Sequence, residues 1–152
     1  MNLRAASNKD IPQVKELVFA VLTEYGLKPD PEGTDADLKD IEATYIASGG
    51  MFSVLENEVG QVLGTVALFP LSSTTCELRK MYLDKNARGS GQGRRLLKHA
   101  LSEARRLGFK IVELETASVL QDAIQMYIKY GFKPIEREHL PSRCDQAYAL
   151  TL

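Results

Sequence analysis

Apolar residues recur every three or four positions in two early stretches of the chain, which is the spacing of one face of a helix. The first stretch runs from Ile11 to Leu22 and follows the cap candidates Ser7 and Asn8. The second begins behind Thr34, and Asp37 three residues later completes the pattern of a capping box. The turn-forming string "GLKPDPEG" separates the two stretches. The sequence therefore predicts two N-terminal helices.

The apolar pattern then changes to that of strands. The runs "MFSVLE", "QVLGTVALF" and "TCELRKMYL" are rich in strand-forming residues and are separated by "NEVG" and "PLSS", which predicts an antiparallel meander. Further strands are expected at "LRAA", "KIVELET" and "QAYALTL". Helical spacing returns from Leu96 to Leu107, ended by Gly108, and in "LQDAIQMYIKY", ended by Gly131.

This order of elements indicates a single mixed α/β domain over residues 1–152. The strand–helix–strand unit from Glu77 to Thr116 should place its two strands parallel, with a right-handed crossover. With 44% hydrophobic residues, a chain of this length can bury a sizeable core.

Charge and composition narrow the class of protein. The formal net charge of −1 gives no bulk attraction to nucleic acid or to a membrane surface. No apolar run approaches the roughly 20 residues of a membrane-spanning helix, and the first residues lack the apolar stretch of a signal peptide. Cys76 and Cys144 lie far apart without metal-ligand spacing, so we expect free thiols and no metal. These features predict a cytoplasmic protein.

The string "RGSGQGRRLLKHAL" contains three glycines within five positions, directly before a predicted helix. The first amides of a helix lack internal partners, and glycines let a phosphate approach them closely. The surrounding segment is strongly basic, because ten basic residues lie between Arg79 and Lys110 against Asp84 and Glu103. These observations favour a phosphate-bearing ligand. A plain glycine-rich turn beside a solvated basic helix face is the alternative.

Two common phosphate motifs fit poorly. A P-loop requires lysine and a hydroxyl residue after its last glycine, but Gly93 is followed by Arg94 and Arg95. In a dinucleotide fingerprint the third glycine would fall one position later than Gly93. A nucleotide-binding module therefore remains only a distant alternative.

One family matches better. The string "RGSGQG" fits the Q/R-x-x-G-x-G/A signature of the GNAT superfamily of N-acetyltransferases, and "AIQMYIKYGF" follows at the expected distance. The chain resembles this family over nearly its whole length. It departs from the family at Leu120, where many members carry an asparagine, so a cofactor contact made by that asparagine cannot be carried over.

The resemblance implies a GNAT fold, with a central twisted mixed sheet of about six to seven strands flanked by about four helices. It implies acetyl-CoA as co-substrate, its pantetheine held by the strand at Met81, Tyr82 and Leu83. The pyrophosphate would lie on the glycine loop and the start of the next helix, at Arg88, Gly89, Ser90, Gly91, Gln92, Gly93 and Arg94.

The resemblance also places Tyr127 at the family's general acid. A phenol with an ordinary pKa of about 10 suits a departing thiolate, although Tyr127 could instead simply pack on an amphipathic helix. For the general base we rank Glu77 first, with Glu113 and Glu115 as alternatives. A salt bridge from Glu77 to Arg79 or Lys80 is an equally ordinary explanation of a charged residue on a central strand.

In this fold the acceptor groove is bordered by the first two helices and a late loop, here about residues 24–48 and 136–145. Seven acidic residues between Glu24 and Glu42, against Lys28 and Lys39, could attract a cationic amine. We expect direct attack by a small-molecule amine through a tetrahedral intermediate, and a homodimer is compatible with the family. A non-catalytic acyl-CoA sensor and a protein-lysine acetyltransferase are the alternatives.

Overall fold

A single sheet of seven strands forms the centre of the computed structural model, which describes all 152 residues. The strands are β1 (Asn2–Ala5), β2 (Met51–Glu56), β3 (Val62–Pro70), β4 (Thr75–Leu83), β5 (Ile111–Thr116), β6 (Lys133–Ile135) and β7 (Gln146–Thr151), in the spatial order β1-β2-β3-β4-β5-β7-β6. The helices are α1 (Ile11–Glu24), α2 (Gln92–Arg106) and α3 (Gln121–Lys129), with a fourth helical segment over residues 36–46. The predicted mixed α/β fold is confirmed.

Strands β4 and β5 form the parallel pair that the sequence predicts, and all other pairs are antiparallel. Their pairing is short, because it joins Thr75–Glu77 only to Ile111–Glu113. Beyond these residues the two strands share no ladder bonds, and a cavity lies between them. The short parallel ladder therefore opens the sheet at its centre.

Strand β6 was not predicted. It is three residues long, lies at the edge of the sheet and contains Pro134. Proline cannot donate a ladder hydrogen bond and is tolerated at sheet edges. A segment so short carries no alternating pattern, so only its pairing with β7 defines it as a strand.

The second predicted helix is not a continuous α-helix, and its capping box is wrong. It consists of a 3-10 turn over Ala36–Lys39 and a π-helical turn over Glu42–Ile46. Asp40 between them is extended, and its carboxylate accepts from the backbone amide of Ala43, which starts the second turn afresh. Asp37 does not cap this segment, because its carboxylate points to buried partners described below.

Two apolar cores flank the sheet. One packs α2 and α3 against one face, and the other packs α1 and the 36–46 segment against the opposite face. Neighbouring strand residues serve different cores, as Val54 and Leu55 do. The two layers hold the start of α2 and the flank of α3 beside the opening between β4 and β5. No helix is both long and apolar enough to cross a membrane.

Candidate active site

Two adjoining cavities lie at the opening of the sheet. The first, the strand cavity, has a volume of about 290 Å³ and lies between β4 and β5, closed on one side by Pro141, Arg143 and Cys144. The second, the helix cavity, has a volume of about 250 Å³ and lies between the end of β4, the glycine loop and α3. Four residues line both cavities: Met81, Tyr82, Leu120 and Tyr127.

The residues predicted to bind cofactor fall mainly around the helix cavity. Met81, Tyr82, Leu83, Arg88, Gly89 and Gly93 line it. Gly91 and Arg94 line a neighbouring cavity between the start of α2 and α3. Ser90 and Gln92 line neither cavity, and the Ser90 hydroxyl donates to the carbonyl of Ala87 at 3.2 Å. The structure thus brings eight of the ten residues to one continuous surface.

The glycine loop combines tight turns with an open approach to the start of α2. Gly89 and Gly91 have φ angles of +84° and +82°, a conformation that favours glycine, and a Cβ on either would meet no atom within 4 Å. The first intrahelical bond of α2 runs from the Arg95 amide to the Gly91 carbonyl at 3.1 Å. The three preceding amides, at residues 92–94, are therefore free of intrahelical bonds.

Arg88 fixes the loop rather than presenting a free cation. Its guanidinium forms two hydrogen bonds with Glu24, at 2.6 and 2.9 Å. It also donates twice to the Leu83 carbonyl, at 3.0 and 2.8 Å, and lies over the ring of Tyr25. The loop is thereby joined both to the end of β4 and to the end of α1.

Tyr127 lies where the two cavities meet and is 6% exposed. Its hydroxyl is 4.0 Å from the Met81 sulfur, the one hydrogen-bond partner it has. Burial, with a smaller contribution from Tyr82, raises the pKa of the Tyr127 phenol above its ordinary value. The hydroxyl therefore keeps its proton at neutral pH while facing both cavities.

Glu77 is buried at the wall of the strand cavity, with both carboxylate oxygens bound by guanidinium groups. Arg79 Nε lies 2.6 Å from Glu77 Oε1, and Arg137 Nη1 lies 2.8 Å from Oε2. The expected salt bridge to Arg79 is thus present. Arg137 also contacts Glu113 at 2.6 Å and Glu115 Oε2 at 2.7 Å. Sequence reasoning did not single out Arg137, which lies in a loop without a motif.

Glu115 differs from the other two carboxylates. It lines the strand cavity, and its Oε1 atom takes no hydrogen bond from any residue. Glu113 also binds Arg137 but does not line the cavity. Of the three carboxylates considered for the base, Glu115 is thus the one with a free oxygen beside this space.

A buried ionic network adjoins the strand cavity through Lys80 and Arg143. Lys80 Nζ lies 3.0 Å from Asp35 and 3.2 Å from Asp37, and Arg143 holds both Asp35 oxygens at 2.7 Å. Burial alone would raise the pKa of Asp35, but Arg143, the Asp30 amide and Lys80 outweigh it and lower the pKa to about 2. Lys80 has a φ of +53° at a bulge in β4. Lys80 therefore pairs with this network and not with Glu77.

The acidic stretch between Glu24 and Glu42 does not form a free anionic rim. Glu24 binds Arg88, Asp35 binds Arg143, and the Tyr45 hydroxyl donates to Asp37. Most of the remaining acids of this stretch are also bound, Glu32 by Lys39 and the carboxylates of Asp40 and Glu42 by Asn8. Four of the seven carboxylates, those of Glu24, Glu32, Asp35 and Asp37, are therefore paired with cations of the protein itself.

Both cysteines are free, as expected. Cys76 is buried in the core, and burial raises the pKa of its thiol to about 12. Cys144 lines the strand cavity, and burial, with a smaller effect of Glu115, raises its pKa to about 11. A protonated thiol is a poor nucleophile, so neither cysteine suits an acyl carrier. No group of three or more His, Cys, Asp or Glu side chains is arranged to hold a metal ion.

Sequence comparison places this arrangement in a family. The model of the acetyltransferase (GNAT) family matches residues 16–132. This range includes the four residues that line both cavities. The chain belongs to the GNAT family. An uncharacterised N-acetyltransferase, YjgM of Escherichia coli, is 36% identical over 139 residues, covering 88% of this chain and 83% of that protein. An uncharacterised N-acetyltransferase of Schizosaccharomyces pombe is 30% identical, covering 84% and 79%. From its family and these relatives, the protein is an N-acetyltransferase.

Two solved acetyltransferase structures share the fold along nearly the whole chain. An acetyltransferase of Staphylococcus aureus Mu50 superposes with a TM-score of 0.92 at 25% identity, covering 99% of this chain and 98% of that one. YncA of Salmonella typhimurium, determined with its cofactor acetyl-CoA, superposes with a TM-score of 0.77 at 24% identity, covering 99% and 93%. These likenesses confirm the GNAT fold expected from the sequence.

Proposed function

We propose that this protein transfers the acetyl group of acetyl-CoA to the amine of a small molecule. The observation that carries the proposal is the meeting of two cavities at Tyr127. One cavity adjoins a helix N-terminus open to a phosphate, and the other is lined by charged groups suited to a polar acceptor. A transferable group held at the junction is reachable from both sides.

The helix cavity has the features that acetyl-CoA requires. The glycine loop leaves open space above Gly89 and Gly91, and the free amides of residues 92–94 can donate to a diphosphate. The apolar wall formed by Met81, Leu83 and Met126 suits the pantetheine arm. Acetyl-CoA supplies the activated thioester, and its presence in the related YncA structure supports this co-substrate.

The proposed reaction is a direct attack. The neutral amine of the acceptor, in the strand cavity, forms a bond to the thioester carbon and gives a tetrahedral intermediate. The carbon–sulfur bond then breaks, and Tyr127 donates its phenolic proton to the departing thiolate. Products are the N-acetylated amine and CoA, so atoms and charge balance once Tyr127 recovers a proton from solvent or from the amine.

The acceptor ammonium must lose a proton before it attacks. Glu77, ranked first from the sequence, has one oxygen bound to Arg79 and the other to Arg137. Glu115 leaves Oε1 free beside the strand cavity. We therefore propose that Glu115 takes this proton, directly or through a water. Glu77 then only forms part of the cavity wall.

The size of the strand cavity supports a small acceptor. Its volume of about 290 Å³ is at the lower end of the range of about 300–1,000 Å³ typical of small-molecule sites. A lysine on a protein surface would need an open groove for the flanking chain. Cytoplasmic location and a homodimer stay predictions.

The test is turnover of acetyl-CoA with a broad panel of amines, read by release of the CoA thiol and by mass spectrometry of the acetylated product. We expect turnover with small-molecule amines and little with lysine-containing peptides. Preference for the peptides would mean that the acceptor is a protein lysine and not a small molecule. Binding of acetyl-CoA without turnover of any amine would indicate a non-catalytic acyl-CoA sensor.

A further inference from the structure

The strand cavity contains a guanidinium group whose terminal amino groups are only partly used inside the protein. Arg79 lines the cavity and is fixed by a 2.6 Å bond from Nε to Glu77. Its guanidinium carbon lies 4.1 Å from the centre of the Phe69 ring. Nη1 and Nη2 donate to no carboxylate or backbone carbonyl, and neither is sealed from solvent. The Tyr45 hydroxyl, which donates to Asp37, is close enough to accept one hydrogen bond from this guanidinium.

The other cations around this cavity are already paired. Lys80 contacts Asp35 and Asp37, and Arg143 holds both oxygens of Asp35. Arg137, behind the wall, contacts three glutamates. Arg79 alone among them combines a fixed plane with terminal N–H donors that no carboxylate of the protein occupies. A planar fork of this kind matches the two oxygens of a carboxylate.

The same cavity contains one carboxylate oxygen that is unused, Glu115 Oε1. The free N–H donors of Arg79 and the free oxygen of Glu115 therefore share a space of about 290 Å³. The remaining wall is largely apolar, from Leu27, Leu78, Leu114 and Pro141. Such a surface complements a molecule with an amine, an acidic group and a short apolar side chain.

We propose that the acceptor is a compound of the amino-acid class, bound through its carboxylate by Arg79 and through its amine beside Glu115. The assignment rests on the proposed acetyl transfer for its chemistry, but the binding site itself requires only that the acceptor enters the strand cavity. It adds an acidic group to the expected small-molecule amine, because several of the acidic residues that could attract a cation are bound within the protein.

The test compares each of a set of L-α-amino acids with its own carboxamide, which has nearly the same size but lacks the negative charge, at a pH where both α-amines are neutral. With acetyl-CoA present, kcat/KM should be higher for the acids by on the order of ten- to a hundredfold, the value of hydrogen bonds to a charged group. Arg79→Gln should bring the ratio of acid to amide close to one, and Arg79→Lys should restore part of it. Arg106→Gln removes a guanidinium that lines neither cavity and should keep the wild-type ratio.

Carboxamides used as well as the acids by the wild-type protein would overturn the inference while leaving acetyl transfer intact, and this comparison needs no variant to fold. An equal loss on acids and amides in Arg79→Gln would also overturn it. If no amine is acetylated, titration calorimetry of the acids into the CoA complex separates the two claims. Binding of the acids that depends on Arg79 supports the inference and rejects the reaction, whereas no binding rejects the inference as well.

Discussion

At the scale of single residues, the role of a charged side chain in this site depends on whether other side chains of the protein already bind its polar atoms. Glu77 and Glu115 have the same chemistry and sit on adjacent strands, yet only Glu115 keeps an oxygen free beside the cavity. The sequence ranked Glu77 first, because the decisive partner, Arg137, is more than 20 residues away in a loop and gives no local sign of its contacts. A partner distant in sequence carries no periodic signal.

The two glutamates can be separated by parallel substitution. We expect Glu115→Gln to lower kcat/KM by about 10²–10⁴-fold, the usual range for a lost general base, and to shift activity toward higher pH, where the amine is already neutral. Glu77→Gln should act mainly on stability, because it leaves parts of two guanidinium groups unpaired. Steady-state pH profiles of both variants, with unfolding curves as control, make the comparison. A larger catalytic loss in Glu77→Gln with unchanged stability would restore Glu77 as the base.

At the scale of elements, the strands and long helices follow from local pattern, and the irregular segments do not. The boundaries of β2 and β4 agree with the sequence expectation because runs of strand-forming residues and the turn strings beside them both mark these strands. The 36–46 segment was predicted as one helix, but Asp40 interrupts it by accepting a hydrogen bond from the amide of Ala43. Strand β6 was not predicted, because only its pairing with β7 defines it. Local patterns cannot report contacts that only the folded chain supplies.

The start of α2 can be tested at Gly93 more cleanly than at Gly91. Gly91 has a φ of +82°, so any side chain there is strained, whereas a Cβ on Gly93 would make an ordinary 3.4 Å contact with Met126. Gly93→Asp places a negative charge on the proposed diphosphate path. We expect CoA affinity to fall about ten- to a hundredfold, the equivalent of one lost charge-assisted hydrogen bond.

Two matched variants accompany this measurement, both read by calorimetric titration with CoA. Gly93→Ala tests the added Cβ alone, and Gly93→Asn adds the bulk of aspartate without its charge. CoA affinity should decrease in the order Ala, Asn, Asp. Near-native affinity in Gly93→Asp would mean that the glycine loop is only a turn.

At the scale of the whole molecule, the ionic network of Asp35, Asp37, Lys80 and Arg143 joins the 36–46 segment and the residue before it to β4 and the late loop. The family resemblance located this region, but the network itself needed the structure. Since Asp35 has its pKa lowered to about 2 from 3.8, its stabilising contribution is fully present above about pH 4 and is lost as the pH falls toward 2.

This linkage predicts an acid-sensitive stability. Between pH 5 and pH 2 the wild-type protein should lose on the order of 2 kcal/mol of unfolding free energy through Asp35. Asp35→Asn should be less stable at pH 7 but should lack this part of the pH dependence. Urea unfolding at several pH values measures both, with the exposed carboxylate variant Glu58→Gln as control. An identical pH dependence in Asp35→Asn and wild type would contradict the assignment.

The whole account depends on acetyl transfer at the junction of the two cavities, and Tyr127→Phe tests that junction most directly. The variant keeps the aromatic ring, whose centre lies 5.7 Å from that of Phe132. Folding and CoA affinity should therefore remain close to wild type. Only the phenolic proton is lost, so kcat under conditions where chemistry limits should fall about 10²–10⁴-fold. Tyr148→Phe, which removes another buried hydroxyl outside both cavities, should not share this loss. A wild-type kcat in folded, CoA-binding Tyr127→Phe would contradict the proposed general acid.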